Sequence, residues 1–247
     1  MRVAVIGSGI AGLTAALQLD DDHEVHLFES QAHVGGHTRT VPVDVEGRTW
    51  RVDTGFVVFN TETYPGLCHL FDSLGLQRRE TSMSFSVRCS RTGFEYQGSG
   101  LSGFYASPRN ILNPSHHLML RDIIRFHKDA RALMESDDGT STLDEWIADR
   151  GYGKAFRNRY LLPIGSSIWS CSRSDFGGFP ARFVIEFMTN HRMLQIRDRP
   201  TWQTVVGGSD RYVEAMLGNF NGKLHLESAV KRIRRTETGA DVHVESA

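Results

Sequence analysis

The stretch GSGIAG, residues 7–12, leaves few folds open to this chain. β-forming residues, among them Val3 and Val5, come directly before it, and residues 13–19 have the apolar spacing of a helix. A second alternating apolar run follows and ends at Glu29. A strand, a glycine turn, a helix and a second strand within about 30 residues form the context in which G-x-G-x-x-G binds a dinucleotide. The sequence therefore predicts an α/β fold that begins with a Rossmann-like nucleotide-binding domain.

The three glycines of this stretch have separate roles in such a loop. Gly7 permits the tight turn, Gly9 lets the backbone approach a pyrophosphate, and Gly12 lets the helix pack closely on the strand. The helix N-terminus offers free N–H groups and a positive dipole end to the phosphates. Glu29 lies 22 residues after Gly7, where a carboxylate accepts hydrogen bonds from ribose hydroxyls and repels the 2′-phosphate of NADP. This motif leaves both NAD and FAD open.

A second match to the same pattern, GSGLSG at residues 98–103, lacks this context. Pro108 follows closely, Asn113-Pro114 comes next, and no strand ending in an acidic residue stands at the right distance. Prolines and glycines at this density are typical of loops. We therefore predict a loop here and no nucleotide site.

The glycine pair in HVGGHTRT, residues 33–40, bears on the choice of cofactor. Gly35 and Gly36 carry no Cβ, so their backbone can lie against a bound group, and their N–H groups could face a phosphate oxygen together with the Thr38 hydroxyl. The pair can equally be an ordinary turn before a strand at residues 41–45. A plain NAD domain would go on to another crossover helix at this point, so the segment favours FAD.

Five motifs in order carry a resemblance to a known superfamily. They are VAVIGSGIAGLTAAL, VHLFES, GGHTRT, VDTGFVVFN and TVVGGSDRYVEAM. Together they resemble the FAD-dependent flavin amine oxidoreductases, which include amine oxidases and phytoene-type desaturases, and the resemblance extends over nearly the whole chain. Within that superfamily the chain most resembles bacterial NAD/FAD-binding proteins associated with cyclopropane and other modified fatty-acid synthesis.

The resemblance implies a set of cofactor contacts but no catalytic residue. The implied contacts are Gly7, Ser8, Gly9, Ile10, Ala11 and Gly12 at the FAD pyrophosphate; Glu29 with Ser30 at the adenosine ribose; Gly35, Gly36, His37 and Thr38 along the pyrophosphate and ribityl side; Gly55 and Phe56, within Asp53-Thr54-Gly55-Phe56, at the flavin ring; and Val230 at the adenine. The superfamily usually has arginines flanking the glycine pair, where this chain has His33 and His37. Arg39 is then the residue that could neutralise phosphate charge.

The resemblance also implies an order of domains. Residues 1–75 would begin the FAD-binding domain, residues 76–200 would form a largely helical substrate-side insertion, and residues 201–247 would return to the FAD-binding domain. A further strand and a flavin-contacting segment would be expected after Ala247, so the resemblance implies that the C-terminal part of the fold is missing here.

Local patterns predict the remaining elements. Paired strands are expected in MSFSVRC and GFEYQ. Helices are expected at residues 115–134, 142–150 with a Thr142/Glu145 capping box and a stop at Gly151, 152–161 ended by Pro163, from Pro180 onward, and 210–217. Late strands are expected at residues 223–226, 230–235 and 242–244.

In the helix at residues 115–134, an apolar stripe is expected on one side and basic residues on the other. The stripe is Leu120, Ile123, Ile124, His127, Ala130 and Met134. Such a basic amphipathic helix can lie on a membrane surface, and it can equally be the surface helix of a soluble domain.

Composition narrows the classes of function. The formal net charge of −1 gives no basic face for nucleic acid. The three cysteines form no CxxC, no metal or hydrolase motif is present, and no apolar run is long enough to cross a membrane. An odd cysteine count fits a reducing compartment, so a cytoplasmic location is expected, with peripheral membrane contact left open.

The sequence thus predicts an FAD-dependent oxidoreductase of the desaturase or oxidase type. The expected substrate is a small apolar molecule, fatty-acyl or amine, that gives a hydride to flavin N5. Two alternatives stay open: an NAD-dependent Rossmann dehydrogenase, and a catalytically inert flavin-binding module that acts through a partner. The sequence indicates no oligomeric state.

Overall fold

The computed structural model describes residues 1–98, 100–136, 140–195 and 200–246. The strands are, in chain order, β1 (Arg2–Ile6), β2 (Glu24–Phe28), β3 (Thr40–Val45), β4 (Arg48–Asp53), β5 (Arg78–Thr81), β6 (Ser86–Arg88), β7 (Glu95–Gln97), β8 (Trp202–Val205), β9 (Lys223–His225), β10 (Ser228–Arg235) and β11 (Ala240–Ser246). The helices are α1 (Ile10–Asp20), α2 (Pro65–Ser73), α3 (Leu101–Phe104), α4 (Pro108–Ile111), α5 (Pro114–Glu135), α6 (Leu143–Asp149), α7 (Lys154–Phe156), α8 (Leu162–Trp169), α9 (Arg173–Gly177), α10 (Ala181–Asn190) and α11 (Asp210–Gly218), with a π-helical turn (Arg157–Leu161) between α7 and α8.

The chain forms two compact units. The first contains the chain up to Ser82 and again from Thr201 onward, and the second is Met83–Pro200. Each unit has its own hydrophobic core. A functional assignment of the second unit as a substrate-side domain stays a prediction.

The first unit is built on a parallel sheet in the order β1-β2-β9. Helix α1 connects β1 to β2 and buries Leu13 and Ala16, while β2 buries Val25 and Leu27. The strand, glycine turn, helix and strand predicted for the N-terminus are thus confirmed. The two-stranded sheets β3-β4, β5-β8 and β10-β11 complete this unit, and the late strands and the helix after Ser209 also form as predicted.

The second unit is mainly helical around one small hairpin. Strands β6 and β7 pair antiparallel, as predicted. The capping box forms as predicted, since the Thr142 hydroxyl accepts the Glu145 N–H and the Glu145 carboxylate accepts the Thr142 N–H. Gly151 follows α6 with φ of +65°, a left-handed conformation that suits glycine at a helix end.

The loop predicted at residues 98–103 is wrong from Leu101 onward. Residues 101–104 form the short helix α3, which buries Phe104; Ser99 lies outside the described residues. The next elements are α4 and α5, so in the described chain no strand follows directly after this second glycine pattern. The burial of one aromatic ring outweighs the local glycine and proline signals.

The apolar stripe predicted for the longest helix is also wrong in part. Ile124 is 52% exposed and Leu120 is only half-buried. The buried face is His116, Met119, Asp122, Ile123, Phe126, His127, Ala130 and Leu133. Polar residues share this face because they find partners: the Asp122 carboxylate accepts the Gly153 N–H at 2.9 Å, and His116 Nε2 lies 2.8 Å from the Phe104 carbonyl oxygen.

Pro163 does not end a helix, contrary to the prediction. The chain runs without a break from α7 through the π-helical turn into α8, and the N–H of Leu162 donates to the carbonyl oxygen of Arg157, five residues back. Proline has no N–H, and its ring clashes with the carbonyl four residues earlier in an α-helix. That carbonyl belongs to Arg159, lies in the wider π turn, and accepts the Tyr96 hydroxyl at 3.0 Å.

Candidate dinucleotide-binding site

The glycine loop between β1 and α1 is tightly folded against its own backbone. Gly7 has φ of +90° and donates its N–H to the Phe28 carbonyl oxygen at 2.8 Å. A Cβ at Gly12 would overlap the carbonyl oxygen of Gly7 and would stand 3.6 Å from the Val5 side chain. Glycine at position 12 therefore permits the close packing of α1 on β1.

The outer side of the same loop is open. A Cβ built at Gly7 or Gly9 would meet no atom within 4 Å. Gly9 is the N-cap of α1, and no side chain caps this helix. Its first N–H groups have no partners within the helix, and a helix N-terminus of this kind binds anions. The loop thus combines unpaired N–H donors with room for a ligand. Ile10 and Ala11 lie beside that room, at the start of α1.

The Glu29 side chain fastens the end of β2 to the glycine loop. One carboxylate oxygen accepts the Ser8 N–H at 2.9 Å and the Ser8 hydroxyl at 2.5 Å. The other accepts the Gln31 N–H at 2.9 Å and the Ser30 hydroxyl at 3.1 Å. Burial would raise the pKa of this carboxyl, but the hydrogen bonds from Ser8, Gln31 and Ser30 outweigh it and lower the pKa to about 2. Glu29 is therefore ionised at neutral pH.

The second glycine pair lies directly against the first loop. Gly35 and Gly36 have φ of +113° and +59°. The Gly35 N–H donates to the Ser8 carbonyl oxygen at 3.0 Å, and a Cβ at Gly36 would stand only 3.0 Å from the Gly9 Cα. The pair is thus more than a turn before β3, because it seats one glycine segment on the other.

A third glycine joins this arrangement. A Cβ at Gly55 would overlap the carbonyl oxygen of His37. Phe56, the next residue, is half-buried and lies edge-on to Tyr212, with ring centroids 6.3 Å apart. The structure thus brings the segments around positions 9, 36 and 55 together, as expected for parts of one site. The side chain of His37 is exposed.

The Thr38 side chain is held by a hydrogen bond within the protein. It is buried, and its hydroxyl pairs with the Tyr212 hydroxyl. A buried hydroxyl requires a hydrogen-bond partner, and Tyr212 supplies one within the protein. Burial raises the pKa of Tyr212, which keeps its hydroxyl protonated.

Asp53 has a structural role that the sequence does not reveal. Its Oδ1 accepts the Ser209 N–H at 2.9 Å, the Ser209 hydroxyl at 2.8 Å and the Thr40 hydroxyl at 2.5 Å. The Thr40 hydroxyl oxygen accepts the Asp210 N–H at 3.1 Å. This network joins the ends of the β3-β4 hairpin to the start of α11. The sequence analysis did not identify Tyr212 and Ser209 as partners of Thr38 and Asp53, because no local pattern indicates such distant pairs.

Val230 lies on β10, which starts beside Glu29. The Ser228 N–H donates to the Glu29 carbonyl oxygen at 2.8 Å, and the pairing of β10 with β11 shifts register between Val230 and Arg232. Val230 is half-buried and pairs with Val244. The strand is thus next to the proposed ribose residue, while contact with an adenine stays a prediction.

Comparisons with known proteins match these features. The sequence model of the family described as flavin containing amine oxidoreductase matches residues 10–247. Zeta-carotene desaturase of Synechocystis sp. (strain PCC 6803) is 34% identical over 269 residues, which are 99% of this chain and 53% of that protein. A protein of Mycobacterium tuberculosis (strain H37Rv) that bears the name of a flavin-containing monoamine oxidase is 28% identical over 263 residues, 97% of this chain and 53% of that protein.

A solved structure shows the same fold. Wild-type putrescine oxidase bound to putrescine aligns with a TM-score of 0.69 at 20% identity, covering 99% of this chain and 55% of that chain. The expected α/β fold with a Rossmann-like nucleotide-binding part is thereby confirmed. The chain spans about half the length of the curated relatives that it matches.

Proposed function

Because the chain belongs to the flavin containing amine oxidoreductase family, we propose that the whole protein is an FAD-dependent oxidoreductase of the oxidase or desaturase type. FAD, which the glycine pair and the resemblance predicted, is the cofactor of this flavin-containing family. The alternative of an NAD-dependent dehydrogenase is not supported by any of the relatives above. Bound FAD supplies a hydride acceptor at flavin N5.

The observation that carries this proposal is the meeting of two glycine segments at an open loop. Gly36 lies against Gly9, and the outer side of Gly9 is free of protein atoms. In the proposed arrangement the FAD pyrophosphate lies on the free N–H groups of residues 9–12, with the backbone of Gly35 and Gly36 beside it. The structure offers no cation in this pair itself, so the helix N-terminus neutralises phosphate charge, with exposed Arg39 close in sequence.

Glu29 and Ser30 would bind the adenosine ribose in this proposal. The ionised carboxylate already accepts four hydrogen bonds, from Ser8, Gln31 and Ser30. A carboxylate offers about four acceptor positions, so ribose hydroxyls would exchange with the Ser8 or Ser30 hydroxyl while the two backbone N–H bonds stay. The fixed negative charge would also keep a 2′-phosphate out.

The remaining contacts follow from the same arrangement. Gly55 and Phe56 would approach the flavin ring, Val230 would lie at the adenine, and the His37 backbone would line the ribityl side. Thr38 would act through its backbone, because its hydroxyl is paired with Tyr212. The chain's own part in the reaction is to bind and orient the cofactor and to exclude water from it. The residues that position a substrate are not assigned.

The substrate proposed for the whole protein is a small molecule with an oxidisable C–N or C–C bond. An amine fits the family's name, and an apolar carbon chain fits the desaturase relative. The link to fatty-acid synthesis stays a prediction.

Peripheral membrane contact is proposed for one surface of the second unit. Leu118 and Ile124 are 50% and 52% exposed on α5, next to the exposed Arg121 and Lys128. A surface that is both apolar and basic suits the boundary of an anionic membrane. Among the described residues no helix is long and apolar enough to pass through a bilayer.

FAD binding by the purified chain tests this proposal. We expect visible flavin absorbance to stay with the protein after FAD is added and excess is removed. A protein that stays colourless would contradict FAD binding.

A glycine variant locates the cofactor. Gly9→Val should fold normally, because a Cβ there meets nothing, yet its side chain would occupy the space proposed for the pyrophosphate. We expect FAD affinity to fall by more than about tenfold, or roughly 1.4 kcal/mol, with a Tm lowered by only a few degrees, since valine is a poorer N-cap than glycine. Gly66→Ala is the matched control, since it is also open and lies on α2. Equal FAD affinity in both variants would rule out the loop as the pyrophosphate site.

A further inference from the structure

The second unit contains a cavity of about 500 Å³ that none of the roles above involves. It lies between the turn after β6, the first turn of α5 and the helix that starts at Lys154. Pockets of roughly 300–1,000 Å³ hold small organic ligands. Phe94 forms part of the wall, together with the hydroxyl-bearing residues Ser90, Thr92 and Ser115.

Among the described residues, the lining of the cavity includes several cations and no carboxylate. Its charged residues are Arg88, Arg91, Lys154, Arg159 and Arg173. Within the described part of the chain, only Arg88 among them is near an acidic side chain, and that contact, with Glu95, is 3.6 Å long and exposed. Such exposed pairs contribute little. Five like charges around one concavity give it a positive potential that concentrates anions.

Arg159 is held in place at this cavity. Its guanidinium lies over the Phe94 ring, with its central carbon 4.5 Å from the ring centroid. Its backbone carbonyl is fixed by the Tyr96 hydroxyl in the π-helical turn. Its Nη1 is buried and has no hydrogen-bond partner among the described residues. A stacked guanidinium with unused donors is suited to binding an oxyanion through parallel N–H bonds.

We propose that this cavity binds a phosphate group carried on a small organic molecule. Arginine forks and a lysine match phosphate oxygens, the hydroxyls of Ser90, Thr92 and Ser115 can donate to them, and the Phe94 ring with Val87 gives the organic part an apolar contact. The volume exceeds what an inorganic ion alone would fill. The source of the phosphate is a soluble ester or a lipid headgroup, which the experiment below distinguishes.

Cys89 provides a reporter inside the cavity. Its thiol lies in the lining. The hydroxyl and N–H of Thr92, followed by the N–H of Arg91, lower the pKa of this thiol, and a lowered pKa favours the thiolate, which is the form that reacts with alkylating agents. Cys171, also half-buried, lies outside the lining and serves as an internal control.

Calorimetric titration of the full chain tests the proposal. The probes are inorganic phosphate, glycerol 3-phosphate, and vesicles of phosphatidylcholine with or without phosphatidic acid. FAD is present throughout so that it occupies the glycine loop of the first unit. Binding of a phosphate probe to that loop is then not mistaken for binding to the cavity. The test does not depend on the proposed function, because the cavity variant lies in the second unit.

The cavity variant is Lys154→Gln with Arg173→Gln, which removes two exposed cations of the lining. The control is Arg79→Gln with Arg235→Gln, which removes two exposed cations of the first unit that lie outside the lining and outside the surface of α5 proposed for membrane contact. We expect at least about tenfold weaker binding of the phosphate probes in the cavity variant and less than about twofold change in the control. Binding should weaken as salt is raised.

The different probes distinguish the two possible sources of the phosphate group. Binding of glycerol 3-phosphate would assign a soluble ester, and binding only of vesicles that contain phosphatidic acid would assign a lipid headgroup. Absence of binding to every probe, or equal affinities in the cavity and control variants, would overturn the proposal.

Alkylation supplies a local readout in the wild-type chain. Iodoacetamide should label Cys89 at least about threefold more slowly when the binding probe is saturating, because a bound anion blocks access and disfavours the thiolate. Labelling of Cys171, located by peptide mapping, should not change. An unchanged Cys89 rate at saturation would place the anion elsewhere and overturn the proposal.

Discussion

At the scale of single residues, Glu29 ties the first loop to the first sheet through its charge. Its pKa in the folded chain is about 2, below the ordinary value of 4.5. A carboxyl with a lowered folded pKa binds fewer protons in the native state than in the unfolded state. Its contribution to stability is therefore complete above pH 4.5 and is lost as the pH falls towards 2.

Replacing Glu29 should reveal this pH dependence. Glu29→Gln should lower the free energy of unfolding by about 2–3 kcal/mol at pH 7 and by almost nothing near pH 2. Urea unfolding at several pH values measures this difference. Glu214→Gln is the control, since Glu214 pairs with Arg211 on the surface at 2.8 Å and such pairs contribute about 0–1 kcal/mol. A constant difference between Glu29→Gln and wild type across this range would contradict the assignment.

Variants of His37 and Gly55 distinguish the contribution of a side chain from that of the backbone at the proposed flavin side of the site. The His37 side chain is exposed and has no hydrogen bond among the described residues, whereas its carbonyl lies where a Cβ of residue 55 would be. We expect His37→Ala to change FAD affinity by less than about twofold. Gly55→Ala should destabilise the fold by about 1–3 kcal/mol, measured by urea unfolding. A large loss of FAD affinity in His37→Ala would show that the imidazole itself contacts the cofactor.

At the scale of elements, the π-helical turn is the feature that needs a distant partner. The carbonyl of Arg159 is available because the turn is wide, and the Tyr96 hydroxyl from β7 satisfies it. Burial raises the pKa of Tyr96, so its hydroxyl stays a donor at any physiological pH.

Tyr96→Phe should measure the value of that bond. It leaves a carbonyl without its partner, so we expect a loss of about 1–3 kcal/mol in the free energy of unfolding. Tyr105→Phe removes a hydroxyl that pairs with His117 at the surface and should cost less than about 1 kcal/mol. Equal losses in the two variants would show that the carbonyl finds water instead.

Local signals explain which elements could be predicted. The glycine loop, the capping box at Thr142 and the β6-β7 hairpin are each specified within a few neighbouring residues, and each forms as expected. The helix through Pro163 could not be predicted, because its wide turn depends on Tyr96, 63 residues earlier in the chain than Arg159. A proline in a periodic pattern otherwise indicates an end.

The candidate site shows the same division. The glycines at positions 7, 9 and 12, together with the strand before them and the helix and strand after them, predict a nucleotide loop from local sequence. The bonds from Thr38 to Tyr212 and from Asp53 to Ser209 join residues 174 and 156 positions apart, and nothing local marks them. The pairing of the Thr38 hydroxyl with Tyr212 could not be predicted for this reason.

At the scale of the whole molecule, the two units have separate cores. The core of the second unit includes the large side chains Phe126, Trp146, Phe156 and Phe176, all within Met83–Pro200. The first unit is made from two separate stretches of chain. A continuous segment with its own core can in general fold alone.

We therefore expect a fragment of residues 83–200 to fold independently. It should show helical far-UV circular dichroism and a single cooperative unfolding transition. A fragment of residues 1–82 without the later stretch should not, because Tyr212, Val213 and Met216 supply part of its core. A non-cooperative or unfolded 83–200 fragment would show that its core needs the rest of the chain.

The π-helical turn also bears on how a deletion of one residue would affect this part of the chain. It holds one residue more than the α-helical turn that could replace it, and loss of a single codon between Arg157 and Leu161 would restore ordinary winding. The residues of α8 would then keep their faces, because the extra residue is taken up within the wide turn itself. Gly165, where any Cβ would overlap the Phe176 ring, would stay against that ring. A one-codon deletion here would therefore disturb packing less than a one-codon deletion inside α8, which would rotate every later residue of that helix by about 100°.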